Sequence, residues 1–424
     1  MLMFLGMLLS LFLAGCGGGG SSSSSTSTGT TTPPPLTTAS SITMVSPNAS
    51  ALSGLTPTGD FVNDSFTYLN AFRSSAGLST LTSNAQVATA AQNHANYEAA
   101  AALVTHDETA GQPYYTQSTV DARIQAVHPT SVDGEITGSS FVVQSQITAD
   151  STLSITGLRD APFHRENMFY CYANTGVGSA NGAQVYNSYY ASNVYTEYLN
   201  VDFADPCATK PADTQVVVWP FSGQTNVPTS WADTEAEAPA GGAVTNEHGS
   251  TVGYPVTMQG YNAASFTGVT FTITDPTGFV IPCAEYDTSN NASAQAAMAA
   301  QCVPLLELAA NTVYTVKVTA TMTNASFTAT PFTLTWSFTT AAVNANPDNS
   351  FIAPALNASP SQPINGLNAT NTAVLQAQYA CQQYELSNPS ATADCNWLAN
   401  AGVATGNING AVTATNGSVA SASN

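Results

Sequence analysis

The chain has 424 residues, of which six are Lys or Arg and 26 are Asp or Glu, giving a formal net charge of −20. So acidic a protein lacks the basic footprint that nucleic-acid binding needs, and anionic lipid head groups are disfavoured for the same reason. Five histidines and 8% charged residues leave few side chains able to do chemistry.

In chain order, Met1 to Cys16 is an apolar run too short to span a bilayer and ends in small residues, the pattern of an export signal. Gly17 to Gly20, a Ser/Thr tract and Pro33-Pro34-Pro35 follow. That composition cannot bury a core and predicts a flexible tether over residues 16–54. Phe61, Tyr68, Leu69 and Phe72 fall at helical spacing, Ala76-Gly77 ends that helix, and Asn84 is a good N-cap for a second, Ala-rich one carrying Val87, Ala91 and Ala95. Residues 107–160 are mixed, and the Tyr- and Val-rich stretch 183–204 predicts strands.

From Gln215 the texture changes to short strands separated by turns. Val216 to Trp219, Tyr254 to Met258, Gly268 to Thr274, Val313 to Ala320 and Phe332 to Thr339 are the clearest, the last two alternating strictly. Their number suits an antiparallel β-sandwich. Beyond Ala341 the chain is Asn-, Ala-, Ser- and Thr-rich, and residues 343–424 are expected to be mostly disordered, with one helix predicted over Thr372 to Glu385. Cysteines number seven, so six remain once Cys16 is set aside. An even count in an exported protein reads as disulfides, and proximity favours Cys171–Cys207, Cys283–Cys302 and Cys381–Cys395.

Several of these stretches resemble known families. Leu13-Ala14-Gly15-Cys16 resembles the lipobox of bacterial lipoproteins. The resemblance implies a signal peptide over 1–15, lipidation of Cys16, and a membrane anchor that displays the body in the periplasm or on the cell surface.

Residues 55–210 resemble the CAP family, shared by cysteine-rich secretory proteins, antigen 5 and pathogenesis-related 1 proteins. The likeness rests on an ordered series: Leu69-Asn70-Ala71-Phe72-Arg73, Gly77-Leu78, Ala90-Ala91-Gln92-Asn93-His94-Ala95-Asn96-Tyr97, Thr105-His106, Gly134-Glu135, Ala161-Pro162-Phe163-His164-Arg165-Glu166-Asn167-Met168, and Gly176-Val177-Gly178. Residues 214–342 resemble bacterial immunoglobulin-like modules through Pro220 to Pro228, Asn311 to Val316 and Trp336 to Thr340. Together they imply an α+β chain, a CAP-type α-β-α sandwich followed by an all-β immunoglobulin-like sandwich.

The CAP resemblance also implies that His106, Glu135 and His164 converge in one open cleft. Two imidazoles there, His106 and His164, are candidate ligands for zinc or another divalent metal, and the trio could equally run acid–base chemistry. Fuller members of the family carry a second Glu between the last two motifs, whereas residues 136–163 hold only Asp150 and Asp160 as acids. His94 reads as a satisfied core histidine, and Arg165 as a partner of Asp160 or Glu166 that fixes its loop. Three functions stay open, in this order: a binding cleft for a lipid, sterol, glycan or protein; a metal- or Glu-assisted hydrolase of envelope peptides or glycans; and a structural, adhesive display protein. The expected partners are the membrane, through the lipid anchor, and an envelope or extracellular ligand, with the chain itself a monomer.

Overall fold

A computed structural model describes residues 39 and 41–342, apart from 233–250, 282, 290 and 305–307. The leader, Cys16, most of the tether, the Cys381–Cys395 pair, the helix predicted over Thr372 to Glu385 and the rest of the tail fall outside the described residues.

The order of elements begins with strand β1 (Thr43–Met44), helix α1 (Phe61–Ser75), β2 (Thr82–Ser83), α2 (Ala85–Ala101) and α3 (Val120–Val127). Then come β3 (Asp133–Val143), α4 (Ile147–Asp150), α5 (Leu153–Asp160), α6 (Pro162–Met168), β4 (Tyr172–Asn181), β5 (Val185–Asn187) and β6 (Ser192–Pro206). Strands β2, β4, β6 and β3 form one sheet in that spatial order, with β5 paired to the start of β6. Helices lie on both sides of it: α2 packs against β4 and β6, and α5 and α6 pack against β3.

Local sequence explains the two long helices. Asp60 caps α1 by accepting from the Asn63 amide, and Asn84 caps α2 by accepting from the amides of Gln86 and Val87. Gly176 and Gly178 on β4 are there because α2 lies directly on them. A Cβ on Gly176 would overlap the backbone of Val87 and Ala88, and one on Gly178 the backbone of Ala91 and Gln92. Gly-Val-Gly on the strand and small residues on the helix are thus two halves of one close contact.

The second half runs through β7 (Gln215–Trp219), β8 (Ser230–Ala232), β9 (Thr251–Gly253), β10 (Val256–Gln259), β11 (Ser265–Thr274), β12 (Val280–Ile281) and β13 (Cys283–Tyr286). Helix α7 (Ala292–Ala297), β14 (Ala299–Pro304), β15 (Val313–Asn324) and β16 (Phe327–Thr339) complete it. One sheet has the order β1-β7-β10-β14-β13, another β12-β11-β15-β16, and β8 pairs with β9. Along β15 and β16 buried and exposed residues alternate, as expected for strands covered on one face. Cys171–Cys207 ties the start of β4 to the end of β6, and Cys283–Cys302 ties β13 to β14, with Cα separations of 5.1 and 5.5 Å.

The expected tether boundary at residue 54 needs correction. Thr43 and Met44 pair in parallel with Gln215 and Val216, Ile42 is buried, and the Asn48 amide donates to the Ser75 carbonyl. Ile42 and Val45 supply the apolar contacts that a Ser/Thr tract lacks, so the chain orders there. The consequence is topological: the first described strand belongs to the all-β half, and the helix-bearing half is inserted between that strand and the next one of its sheet.

The two halves share one contiguous apolar core, running from Leu69, Phe72, Leu199 and Phe203 to Trp219, Met258, Val316 and Trp336. Polar bonds cross the same boundary. Tyr254 donates its hydroxyl to Asp160 at 2.6 Å, Gln259 donates to the Glu166 carbonyl at 2.9 Å, and Tyr261 to the Phe169 carbonyl at 3.0 Å. Fully buried Arg165 stands over the Tyr254 ring and donates to the carbonyls of Arg159, Asp160 and Pro255. Arg165 thus pairs with Asp160, as expected, and holds its own loop through the Arg159 carbonyl as well. It takes the backbone oxygen of Asp160 and reaches across to β10, because a planar fork of five donors can satisfy several carbonyls at once.

Candidate functional site

The sheet face beneath α2 is where chemistry collects. Along β6, Leu199, Val201 and Phe203 point into the shared apolar core, while Asn200 and Asp202 alternate onto the α2 side, and all five are fully buried. On β3, Glu135 and Thr137 stand opposite Asp202 and Asn200 in register. The buried face of α2 adds His94 and Glu98 at four-residue spacing. Beyond α2 the chain turns through Ala102, in the left-handed conformation, and supplies Thr105, His106 and Glu108; α3 supplies Arg123.

Glu135 is the hub. Its Oε1 takes a hydrogen bond from His106 Nδ1 at 2.7 Å and its Oε2 one from Arg123 at 2.6 Å, while a second Arg123 nitrogen donates to the His106 carbonyl at 2.8 Å. Burial would raise the Glu135 carboxyl, but His94, Arg123 and His106 outweigh it and hold the group well below the usual glutamate range. Burial next to this carboxylate drives the neighbouring Asp202 well above the ordinary aspartate range.

His94 faces acceptors on both nitrogens: Nδ1 meets Glu108 at 2.9 Å and Nε2 meets the Thr105 carbonyl at 2.6 Å. A ring between a carboxylate and a carbonyl must donate twice, so it is an imidazolium. Burial lowers its pKa, but Glu135, Glu108 and Glu98 reverse the sign and raise it overall. Glu98 accepts from the Thr105 amide and the Thr137 hydroxyl, and burial pushes it up to about 8, so it is protonated at neutral pH. Glu108, bonded by His94 and Thr116, is held low despite its burial. Two carboxylates, Glu108 and Glu135, therefore balance two cations, Arg123 and His94, inside the fold.

The three residues singled out from the motif order behave differently. His106 and Glu135 are in direct contact. His164 is buried on α6, the helix that packs against β3, and Asn167 of the same helix donates to the Glu135 carbonyl at 2.8 Å. Their exposures are 7% for His106, 2% for Glu135 and 1% for His164, so all three are buried, His106 and Glu135 in the polar layer beneath α2 and His164 on α6. Among these groups His106 reaches nearest to solvent, and its Nε2 makes no hydrogen bond.

Neither aspartate that might have replaced the missing glutamate enters this layer through its bonds. Asp150 accepts from the Val143 amide and Asp160 from Tyr254 and Arg159. The additional carboxyls come from Asp202, Glu98 and Glu108, and the cation from Arg123, which sequence inspection did not single out. Strand register would have found Asp202 and helical spacing Glu98; Arg123 and Glu108 carry no local signal. His94 is a satisfied buried histidine, as expected, though its partners are charged.

A carboxylate at Nδ1 is how a metal-binding imidazole is oriented, and His106 has one in Glu135, although its Nε2 is buried. Among the described residues, however, no group of three or more His, Cys, Asp or Glu side chains is placed to hold a metal ion. No hydroxyl or thiol of the described residues is hydrogen-bonded to His106 Nε2.

A family model described as the cysteine-rich secretory protein family, CAP, matches residues 66–197. No curated protein matches the chain. Six chains of solved structures do, among them the 1.5 Å crystal structure of an extracellular protein containing an SCP domain from Bacillus anthracis str. Ames. That likeness has 21% identity and a TM-score of 0.23, and it covers 34% of this chain and 40% of the other. The chain thus spans well under half of that protein's length. Within this longer chain, residues 66–197 form a CAP domain.

Proposed function

We propose that this chain is an exported lipoprotein whose CAP domain binds a ligand of the cell envelope or the extracellular space and does not hydrolyse one. The observation that carries the reading is the state of Glu135. Its two oxygens are bonded to His106 and Arg123, it is buried, and its cationic neighbours keep it ionised. A carboxylate stabilised this strongly is a poor proton acceptor near neutral pH, where a general base works best with a pKa near the operating pH. It serves instead to orient His106, the member of this layer that reaches nearest to solvent.

Export is supported by the two disulfides, which suit an oxidising compartment, and by the apolar leader ending at Cys16. The immunoglobulin-like reading of residues 214–342 is supported by two facing antiparallel-rich sheets. In this proposal the β-sandwich forms one body with the CAP domain and carries the end of the chain that leads back to the membrane anchor.

The reading is tested with peptidoglycan fragments, both stem peptides and glycan strands, incubated with the full-length protein and its Glu135→Gln variant. Neither protein is expected to turn substrate over. Turnover by the wild type that disappears in Glu135→Gln would sink the binding assignment and restore the hydrolase.

A further inference from the structure

We propose that the far end of the CAP sheet, at the β5–β6 hairpin, is a binding surface for a neutral carbohydrate. This surface lies apart from the His106–Glu135 layer, so the proposal stands whether or not that layer binds anything.

Five of the nine large apolar side chains exposed among the described residues collect there: Phe141, Val185, Tyr186, Tyr189 and Tyr190. Such clustering on a surface marks a contact site more often than scattered exposure does. The rings are ordered against one another. Phe141 on β3 meets Tyr190 with centroids 5.9 Å apart, and Tyr190 meets Tyr189 edge-on at 4.9 Å. Asn187 shapes the turn by accepting from the Tyr189 amide at 2.9 Å, which leaves the Tyr189 ring 87% exposed. A large ring held this far into solvent gains nothing from the fold itself.

A hollow of about 490 Å³ runs from Ser145 to Leu153. It opens at the root of the hairpin, where the Ser145 amide donates to the Ser192 hydroxyl at 3.1 Å. Its polar lining is Ser145, Gln146, Thr148 and Asp150, groups that accept and donate without positive charge.

The chemistry of the patch selects the class of ligand. No Lys or Arg occurs between Arg123 and Arg159, or between Arg165 and Lys210, the two stretches that build this end of the sheet. Phosphate, sulfate and carboxylate ligands need such cations, and the overall charge of −20 repels them further. An acyl chain or an apolar helix would want a continuous aliphatic surface, yet Val185 is the one aliphatic member. Tyrosine rings instead offer an apolar face with a polar edge. A pyranose matches both: its C–H face stacks on the ring and its hydroxyls bond to the amide and hydroxyl rim.

The experiment exposes the full-length protein to an array of neutral glucans, mannans, galactans and N-acetylglucosamine polymers. Alginate and phosphatidylglycerol vesicles serve as anionic comparisons, and sedimentation monitors self-association. Binding to at least one neutral class is expected. Tyr189→Ala with Tyr190→Ala should weaken it by about tenfold for each ring lost, whereas Tyr189→Phe with Tyr190→Phe keeps most of it. Both rings are exposed, so unfolding midpoints should not move. Absence of binding across the neutral array overturns the proposal. So does binding indifferent to the alanine pair, or tyrosine-dependent binding to vesicles, to alginate or to a second copy of the chain.

Discussion

Two buried glutamates on neighbouring strands of one sheet, Glu135 on β3 and Glu197 on β6, show how differently its faces are built. Glu135 lies on the α2 side, between Arg123 and His106, and is ionised. Glu197 lies on the opposite side, at the edge of the apolar core, where its partners are the hydroxyls of Ser140, Ser154 and Ser179 and no cation. Burial pushes Glu197 up to about 7, and three neutral donors only partly compensate. The same side chain is thus a permanent anion on one face and a titrating acid on the other. What sets the difference is whether a counter-charge was buried with it. The α2 face spends its buried volume on a charge-balanced network, while the other face joins the second half of the molecule through hydrocarbon.

The largest effect is expected from removing the counter-charge. Arg123→Met leaves Glu135 buried without its closest cation and should destabilise the protein by about 3–5 kcal/mol in denaturant unfolding. Arg123→Met combined with Glu135→Gln removes both charges and should recover most of that loss. A single variant within about 1 kcal/mol of wild type would mean that the network is open to water, and the contrast between the faces would fail.

Titration sharpens the same contrast at a somewhat smaller scale. Glu197 has its folded-state pKa raised to about 7 from an ordinary 4.5, so the folded protein holds a proton that the unfolded chain has released. Its contribution is fully present below pH 4.5 and is lost as pH rises through about 7. Glu197→Gln mimics the protonated form and should be more stable than wild type by roughly 3 kcal/mol at alkaline pH, and equal to it at pH 4. Glu135 has the opposite sign, since its lowered pKa gives stability that is present above 4.5 and lost as pH falls through the folded value. Unfolding curves of Glu197→Gln that run parallel to wild type across this range would show that Glu197 is ionised as well.

Much of this architecture was legible in the chain because the decisive features are local. Asn84 reads as a cap, Gly176-Val177-Gly178 as a close approach, and alternation marks β15 and β16. The motif order located the CAP domain, yet many of its residues turn out to hold the scaffold. Asn70 exchanges two bonds with Leu81, Arg73 donates to the carbonyls of Met168 at the end of α6 and of Tyr170 just after it, and Arg165 locks the second half of the molecule. What could not be read was set by register and topology. Asp202 becomes a neighbour of Glu135 only when β6 pairs with β3, and Thr43–Met44 is too short to read as a strand until Gln215 and Val216 are beside it. Residues 136–163 hold no second glutamate, whereas strand pairing brings a carboxyl from Asp202.

The smallest effect expected, about 1 kcal/mol, concerns the cap of α2, and it asks how the lid over the charged face is held. Asn84 bonds the amides of Gln86 and Val87, one turn from where Gly176 meets the helix and nearly three turns before His94. Asn84→Ala should therefore fray the first turn, lowering stability by that amount and speeding hydrogen exchange at Gln86 and Val87. Farther along, His94 and Glu98 are fixed by Glu108, Thr105 and Thr137 from other elements, so exchange around them should not change. Faster exchange at both ends of the helix would mean that the capped turn against β4, and not the ionic network, keeps α2 on the sheet.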